Sequence, residues 1–168
     1  LLHERHHAPA QLVIHMGDRD VRASVQGATV SLDMGAVHFD LVHMGIDLAK
    51  ITLEQQDGLF MLEDLRVGFA DIGDEPPSVN QLSTFGPMFE RHPAFADGMN
   101  VHLVHIESRT RIIMKSHERG VGPTQACGSG ACAVVALLTR AGLTCEAVDV
   151  VVPGGLLNVT APMGKPVT

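Results

Sequence analysis

The chain has 168 residues, of which 45% are hydrophobic, and its formal net charge at pH 7 is -7. This length fits one domain, or one domain with part of another, and it allows a substantial buried core. The negative charge disfavours nucleic acid or an anionic membrane surface as the main partner. With no Trp, no Tyr and six Phe, the core must be built from aliphatic side chains.

No targeting or membrane segment is predicted. No apolar run reaches the roughly 18 residues that a membrane span needs. The first residues, LLHERHH, carry polar groups where a signal peptide would be apolar. The odd number of cysteines, three, disfavours a disulfide framework. We therefore expect a cytoplasmic protein with no membrane partner, and the initial Leu indicates a processed or partial chain.

The first part of the chain is predicted to form strands separated by glycines and charged turns. The segments QLVIHMG, DVRASVQG and ATVSLDMG predict a three-stranded meander. The segment from Val42 to Phe69 fits either strand or helix. The pair Pro76 and Pro77 then excludes helix, and Ser78 is the predicted N-cap of a short helix that ends near residue 90.

The second half is predicted to form a hairpin, a buried helix and a second hairpin. MNVHLVHIES and TRIIMKSHE are predicted strands with a tight connection near Ser108. GSGACAVVALLTRAG predicts a helix that is apolar nearly all round, is therefore buried, and stops at Gly142. AVDVVVPGGLLNVTAP predicts the closing hairpin. The sum is an α+β fold in which a curved, mostly antiparallel sheet wraps around one central helix.

The start of the apolar helix is the predicted functional site. A helix N-terminus carries unpaired N–H groups and a partial positive charge. The Gly-Ser-Gly turn leaves that end open to a carboxylate. Cys127 lies at the same end, where the field is expected to favour thiolate and lower the pKa of the thiol. Upstream, Arg119 can clamp a carboxylate and Glu118 can hold an ammonium group, which together suit a zwitterionic amino acid.

Each of these features also has a simpler explanation. A lone cysteine at a helix start is more often a small packing residue, and a Glu-Arg pair is usually an exposed ion pair. Cys132 and Cys145 are interpreted as packing residues. Cys127 and Cys132 would point to different faces of a helix, and His102 and His105 to opposite sides of a strand. No metal site is therefore predicted.

Taken as a whole, ERGVGPTQACGSGACA resembles the second-half signature of the diaminopimelate epimerase family. FGPMFERHPAFADGMNVHLVHI and VVPGGLLNV are similar to two other stretches of that family. ATVSLDMGAVHF looks like the strand by which the family's chain passes from its first domain to its second. The resemblance implies that residues 1–34 are a remnant of the first domain and residues 35–168 are the second domain, which carries the cysteine motif.

The resemblance also implies an isomerase that uses no cofactor and converts LL-diaminopimelate to the meso form, for lysine and cell-wall precursor synthesis. In the family, one cysteine from each domain faces the α-carbon; one thiolate removes the proton and the other thiol delivers one. Carried over, Cys127 is the second-domain acid/base and Glu118 assists it. The implied substrate-binding residues are Asn100, Glu118, Arg119, Gly128 and Ser129.

The sequence departs from the family pattern at three places. The first-domain cysteine, in its Cys-Gly-Asn-Gly type turn, has no counterpart. The family's Gly-Asn-Pro-His turn should fall near Gly73, but Asp74, Glu75 and Pro76 stand there. His102 occupies a position where the family usually has Asn. Because one thiol on one face cannot invert the centre efficiently, we expect this chain alone to be an impaired epimerase.

Two other functions remain open. The chain could be a non-catalytic module that binds an amino-acid carboxylate without turnover. It could also be a half-protein that forms a homodimer, which would place two Cys127 thiols opposite each other. Ligand binding without exchange of the α-proton would distinguish the first function, and the molecular mass in solution would distinguish the second.

Overall fold

The structure is a computed structural model that describes residues 10–16, 19–36, 60–63, 67–71 and 75–168. Within these residues there are ten strands and two helices. The strands are β1 (Gln11–Met16), β2 (Arg19–Gln26), β3 (Thr29–Asp33), β4 (Phe60–Glu63), β5 (Val67–Asp71), β6 (Asn100–Ser108), β7 (Arg111–Glu118), β8 (Gly122–Thr124), β9 (Ala147–Val152) and β10 (Gly155–Thr160). The helices are α1 (Val79–Glu90) and α2 (Gly128–Arg140).

The first three strands form a sheet of their own in the order β1-β2-β3, with both pairs antiparallel. This confirms the predicted meander. The strand alternation buries Val21 and Ala23 of β2. Just after β3, the N–H of Met34 donates to the carbonyl of Val167 at 2.9 Å. The end of the meander is therefore attached to the far end of the chain, beside the position where the domain division was predicted.

The second sheet has seven strands in the order β10-β9-β7-β6-β5-β4, with β8 added to β7. Its pairs are antiparallel except for β5 with β6 and β7 with β9. The predicted α+β class with mostly antiparallel pairing is thus confirmed for the described residues. Of the segment that fitted either strand or helix, the structure describes β4 and the start of β5 as strand, and the rest lies outside the described residues.

A helix packs on each face of this second sheet. Because side chains alternate along a strand, Val101 and Leu103 of β6 pack towards α1, and Val104 packs towards α2. On the α2 side, Ile112 and Met114 of β7 continue the same apolar cluster. The sheet therefore separates two aliphatic layers, and residues one apart on β6 and β7 lie in different layers.

Helix α2 follows the sequence prediction closely. All of its residues from Gly130 to Leu138 are buried, as expected for a helix without a polar face. Gly142 has a φ of 74° and its N–H donates to the carbonyl of Thr139, so the helix ends in the left-handed conformation that glycine tolerates. Among the described residues, no helix combines the length and apolarity required to cross a membrane.

The predicted closing hairpin is also observed, as β9 and β10. Its turn is tied to the segment before α2, because the N–H of Gly154 donates to the carbonyl of Gln125 at 2.8 Å. The hairpin thereby fixes the backbone just before Cys127.

Helix α1 begins at the predicted cap. The hydroxyl of Ser78 accepts a hydrogen bond from the N–H of Gln81 at 3.1 Å. The side-chain oxygen of Gln81 accepts one from the N–H of Ser78 at 2.8 Å. This reciprocal pair is a capping box, and it satisfies two N–H groups that the helix itself cannot pair.

Replacing Ser78 with Ala should lower the free energy of unfolding by about 1 kcal/mol, because the N–H of Gln81 loses its acceptor. Chemical denaturation measures this change. Ser83→Ala is the matched control, since the hydroxyl of Ser83 only donates to the carbonyl of Val79 inside the same helix. An equal loss in both variants would contradict the capping role.

Candidate functional site

Cys127 is the N-cap residue of α2. Its backbone is extended, with φ -133° and ψ 100°, and its carbonyl accepts the first helical hydrogen bond, from the N–H of Ala131 at 2.9 Å. Its side chain does not cap the helix. The sulfur lies 3.6 Å from the hydroxyl of Ser129. The residue is 5% exposed, so the thiol is buried beside an otherwise accessible turn whose first residue, Gly128, is exposed.

Burial raises the pKa of the Cys127 thiol. The hydroxyl of Ser129 and the N–H of Gly130 act in the opposite direction, and the carboxylate of Glu118 adds to the rise through its charge and a hydrogen bond. The expected lowering of this pKa is therefore wrong. The N–H groups at the helix start do favour the thiolate, but desolvation and a neighbouring carboxylate outweigh them. At neutral pH the group is a thiol.

The structure brings most of the predicted site residues together. Glu118, at the end of β7, reaches the thiol of Cys127. The next residue, Arg119, donates its backbone N–H to the side-chain oxygen of Asn100 at 2.8 Å. Its guanidinium donates to the carbonyl of Asp97, also at 2.8 Å, and its side chain is exposed. The role of these residues towards a substrate stays a prediction.

A hydrogen-bonded pair of side chains, His117 and Glu90, lies behind this turn largely shielded from water, and the sequence analysis missed it. The ring Nε2 of His117 lies 2.6 Å from one carboxylate oxygen of Glu90, and the other oxygen accepts the N–H of Gly120 at 2.8 Å. The hydrogen bond from Gly120, followed by that with His117, holds the pKa of Glu90 below its usual range. The two side chains are 27 positions apart, so their pairing leaves no local pattern in the sequence.

A row of polar side chains runs under the first turn of α2. His102, Ser116 and Thr124 occupy paired positions on β6, β7 and β8 and share one face of the sheet. The Nδ1 of His102 lies 2.9 Å from the hydroxyl of Ser116. The Nε2 of His102 and the hydroxyl of Thr124 are buried without a partner. Burial lowers the pKa of His102 to about 4, so the ring is neutral at pH 7.

Gly130 is required by this packing and not by its backbone conformation. A Cβ at this position would overlap the imidazole of His102 and lie 3.1 Å from the sulfur of Cys127. The second glycine of the Gly-Ser-Gly turn therefore lets the helix start rest directly on the sheet. At Gly128, by contrast, a Cβ would meet nothing within 4 Å.

The remaining predictions have mixed outcomes. Cys132 is buried in the α2 cluster, as predicted, but Cys145 is exposed, so its interpretation as a packing residue is wrong. It lies in the connection between α2 and β9, where Glu146 and Ala147 are exposed as well. Within the part of the chain that the structure describes, no group of three or more His, Cys, Asp or Glu could hold a metal ion. Gly73 and Asp74 of the departing turn lie outside the described residues, and Glu75 is exposed.

Comparison with known proteins identifies the family. The family model described as diaminopimelate epimerase matches residues 72–164, which is more than half of the chain. The diaminopimelate epimerase of Nitrobacter hamburgensis is 44% identical over 130 residues, 77% of this chain and 40% of that protein. The enzyme of the same name from Rhodopseudomonas palustris strain BisA53 is 31% identical over 130 residues, again 77% and 40%. The chain belongs to the diaminopimelate epimerase family.

The match is partial in length, because the chain spans about 40% of the relatives that it resembles. Among solved structures, a phenazine biosynthesis protein of the PhzF family from Bacillus anthracis is similar to 56% of this chain and 29% of its own, with 16% identity and a TM-score of 0.41. A likeness of this size does not bear on the fold.

The neutral, buried ring of His102 makes stability depend on pH. Its pKa is lower in the folded chain, about 4, than in the unfolded chain, about 6.5. Between these values the unfolded chain binds the extra proton, so this contribution is complete above about pH 6.5 and is lost as pH falls towards 4. The loss is on the order of 3 kcal/mol. Urea denaturation at pH 7 and pH 4.5 should show a smaller pH difference in His102→Gln than in the unmodified chain; equal differences would contradict this assignment.

Gly130→Ala should lower the free energy of unfolding by roughly 2 kcal/mol, because the new methyl group overlaps the imidazole of His102. The matched control is Gly128→Ala in the same turn, where the methyl group meets open space and the change should be neutral or slightly stabilising. Thermal or chemical denaturation compares the two. Equal effects would show that His102 does not limit the space at Gly130.

Proposed function

We propose that this chain supplies one half of a cofactor-independent amino-acid epimerase, in which the thiol of Cys127 exchanges a proton with the α-carbon of diaminopimelate. The observation that carries the proposal is the thiol at the start of α2 with the carboxylate of Glu118 beside it. The membership of the diaminopimelate epimerase family supports it. The full reaction proposed is inversion of the LL form to the meso form by thiol and thiolate.

The turns around the thiol offer complementary groups for a zwitterion. The N–H groups of Gly128 and Ser129 belong to the first turn of α2 and have no helical acceptor, so they suit the α-carboxylate. Arg119 is anchored through one N–H to Asp97 and can present others to a second carboxylate. Asn100 uses its oxygen on the backbone of Arg119, so its amide NH₂ is the group that can donate to a ligand.

The protonation state of Cys127 depends on whether substrate is bound. Because the pKa of the thiol is raised, Cys127 is protonated before substrate binds. Glu118 is one cause of the rise, so an ammonium group bound to Glu118 would neutralise its charge and lower the pKa of the thiol again. The substrate itself would then bring the thiol closer to ionisation at the moment of proton transfer.

The isolated chain is expected to carry out only part of the reaction. Inversion needs removal of a proton on one face and delivery on the other, and the chain spans about 40% of its relatives. We therefore propose that the isolated chain exchanges the α-proton but inverts the centre poorly. In the whole protein, the first domain supplies the opposing thiol and the sheet wraps around α2. We propose that the reaction takes place in the cytoplasm, in lysine and cell-wall precursor synthesis.

The raised pKa of Cys127 also favours a second candidate, a module that binds an amino-acid carboxylate without turnover. A thiol that stays protonated still leaves the N–H groups of Gly128 and Ser129 for a carboxylate. The homodimer that opposes two Cys127 thiols is a variant of the first candidate, and it would restore a thiol on each face of the substrate.

Deuterium uptake decides between these functions. Incubation with diaminopimelate in D₂O should remove the α-proton signal from the NMR spectrum, and Cys127→Ala should slow this loss at least about 100-fold. Cys145→Ala is the control, because this exposed cysteine lies on the connection after α2, and it should exchange at the unmodified rate. Binding without uptake would establish the binding module, and uptake that survives Cys127→Ala would contradict the proposed chemistry.

A further inference from the structure

We propose that Glu90 is a positioning residue that holds Glu118 against Cys127 by fixing the turn after β7. The inference rests on the proposed function for the importance of Cys127. The contacts of Glu90 on which it is based do not depend on whether the chain turns over a substrate. Glu90 belongs to a different helix, α1, and acts only through the turn.

Glu90 makes two strong hydrogen bonds at the last residue of α1. One carboxylate oxygen lies 2.6 Å from the Nε2 of His117, and the other accepts the N–H of Gly120 at 2.8 Å. The side chain of His117 is 5% exposed and that of Glu90 is 15% exposed, so the pair is largely shielded from water. The carboxylate of Glu90 therefore binds the chain just before and just after the Glu-Arg pair, at His117 and at Gly120.

The packing of α1 brings the carboxylate to this place. A Cβ on Gly86 would lie 2.5 Å from the Nδ1 of His117 and 2.9 Å from its Cβ, so only glycine lets the helix and the ring come this close. Gly86 and Glu90 are four positions apart and share one face of the helix. The glycine admits the ring, and the carboxylate one turn later binds it.

The backbone of this turn has other attachments as well, because Glu118 itself pairs with Gly122 of β8. The N–H of Arg119 is held by Asn100, its guanidinium by the carbonyl of Asp97, and the N–H of Val121 by the carbonyl of Glu118. Glu90 is the side chain that joins the last residues of β7 to the residue after the Glu-Arg pair. Without it, the residues on both sides of Glu118 and Arg119 lose their attachment to α1, and the carboxylate of Glu118 spends less time at the sulfur.

Removal of Glu90 should make the thiol of Cys127 more reactive. Glu118 disfavours the thiolate of Cys127 both by its charge and by a hydrogen bond. If Glu90 holds Glu118 in place, removal of Glu90 relieves that effect and the thiolate fraction rises. The expected change therefore has the opposite sign to the loss of function usual for a site variant.

The test is alkylation with iodoacetamide at pH 7.5, with the peptides of all three cysteines followed separately by mass spectrometry. In Glu90→Ala, Cys127 should react about three- to tenfold faster than in the unmodified chain. Cys132, which is buried in the same helix, reports general loosening and should keep its rate. Cys145 is exposed and calibrates the reagent.

A double-mutant cycle shows whether Glu90 acts through Glu118. Glu118→Gln alone should speed Cys127, and adding Glu90→Ala to it should change the rate no further. Glu107→Ala is the matched control, since Glu107 also forms a short ion pair, with Arg111 at 2.8 Å, on the rim of the same sheet. If Glu90→Ala does not fold, Glu90→Gln takes its place. It keeps an acceptor for the N–H of Gly120 and should give a smaller acceleration in the same direction.

An unchanged rate of Cys127 in the folded Glu90 variant would overturn the inference. So would an acceleration that persists in the Glu118→Gln background or extends to Cys132, because either result indicates loosening of the fold. The deuterium assay stands apart from these measurements. If the alkylation rates follow the double-mutant cycle but no α-proton is exchanged, this inference stands and the proposed function fails. If α-protons are exchanged but the alkylation rates do not follow the cycle, the proposed function stands and this inference fails.

Discussion

The close contact between the first turn of α2 and the sheet is the constraint on which the site depends. The imidazole of His102 occupies the space that a side chain at Gly130 would need, and the sulfur of Cys127 borders the same space. The helix start therefore has one position relative to β6, and the thiol has one position relative to the helix start. Because a protein interior is closely packed, one added methyl group at this contact forces the neighbouring side chains or backbone to move.

The same contact explains why the thiol behaves differently from what a helix start predicts. A helix N-terminus contributes typically 0.3–1 kcal/mol at an exposed position, up to about 2 kcal/mol in a partly buried one, whereas desolvation can move the pKa of a fully buried group by about 3 units or more. Pressed against the sheet, the sulfur is 5% exposed, and Glu118 adds a like charge. Burial wins. Without substrate, Cys127 is therefore a protonated thiol.

Local sequence signals predicted the parts of the fold that depend on neighbours along the chain. The capping box of Ser78, the glycine stop at Gly142, the meander and the closing hairpin all follow from short patterns, and the structure contains each of them. The candidate site residues around Cys127 were predicted from one long motif, and their roles towards a substrate stay predictions. The pKa of that cysteine was predicted with the wrong sign, because its burial depends on a strand that lies 25 positions earlier in the sequence, at His102.

Contacts between distant segments left no such signals. The pairing of Glu90 with His117 joins a helix to a strand, and neither residue stands in a motif that indicates the other. The row of His102, Ser116 and Thr124 becomes visible only when the register of three strands is known. Strand register is a property of the whole sheet, so period-two patterns predict which residues share a face but not which residues are neighbours across it.

The hydrogen bond from Gly154 to Gln125 has a consequence for biosynthesis. The backbone entering Cys127 is anchored by the turn of the closing hairpin, and β9 of that hairpin pairs with β7. On the ribosome, the motif is synthesised before the turn that anchors it. A nascent chain that stops short of this turn carries every residue of the motif and yet lacks the alignment of the sulfur, so the site matures only with the final strands.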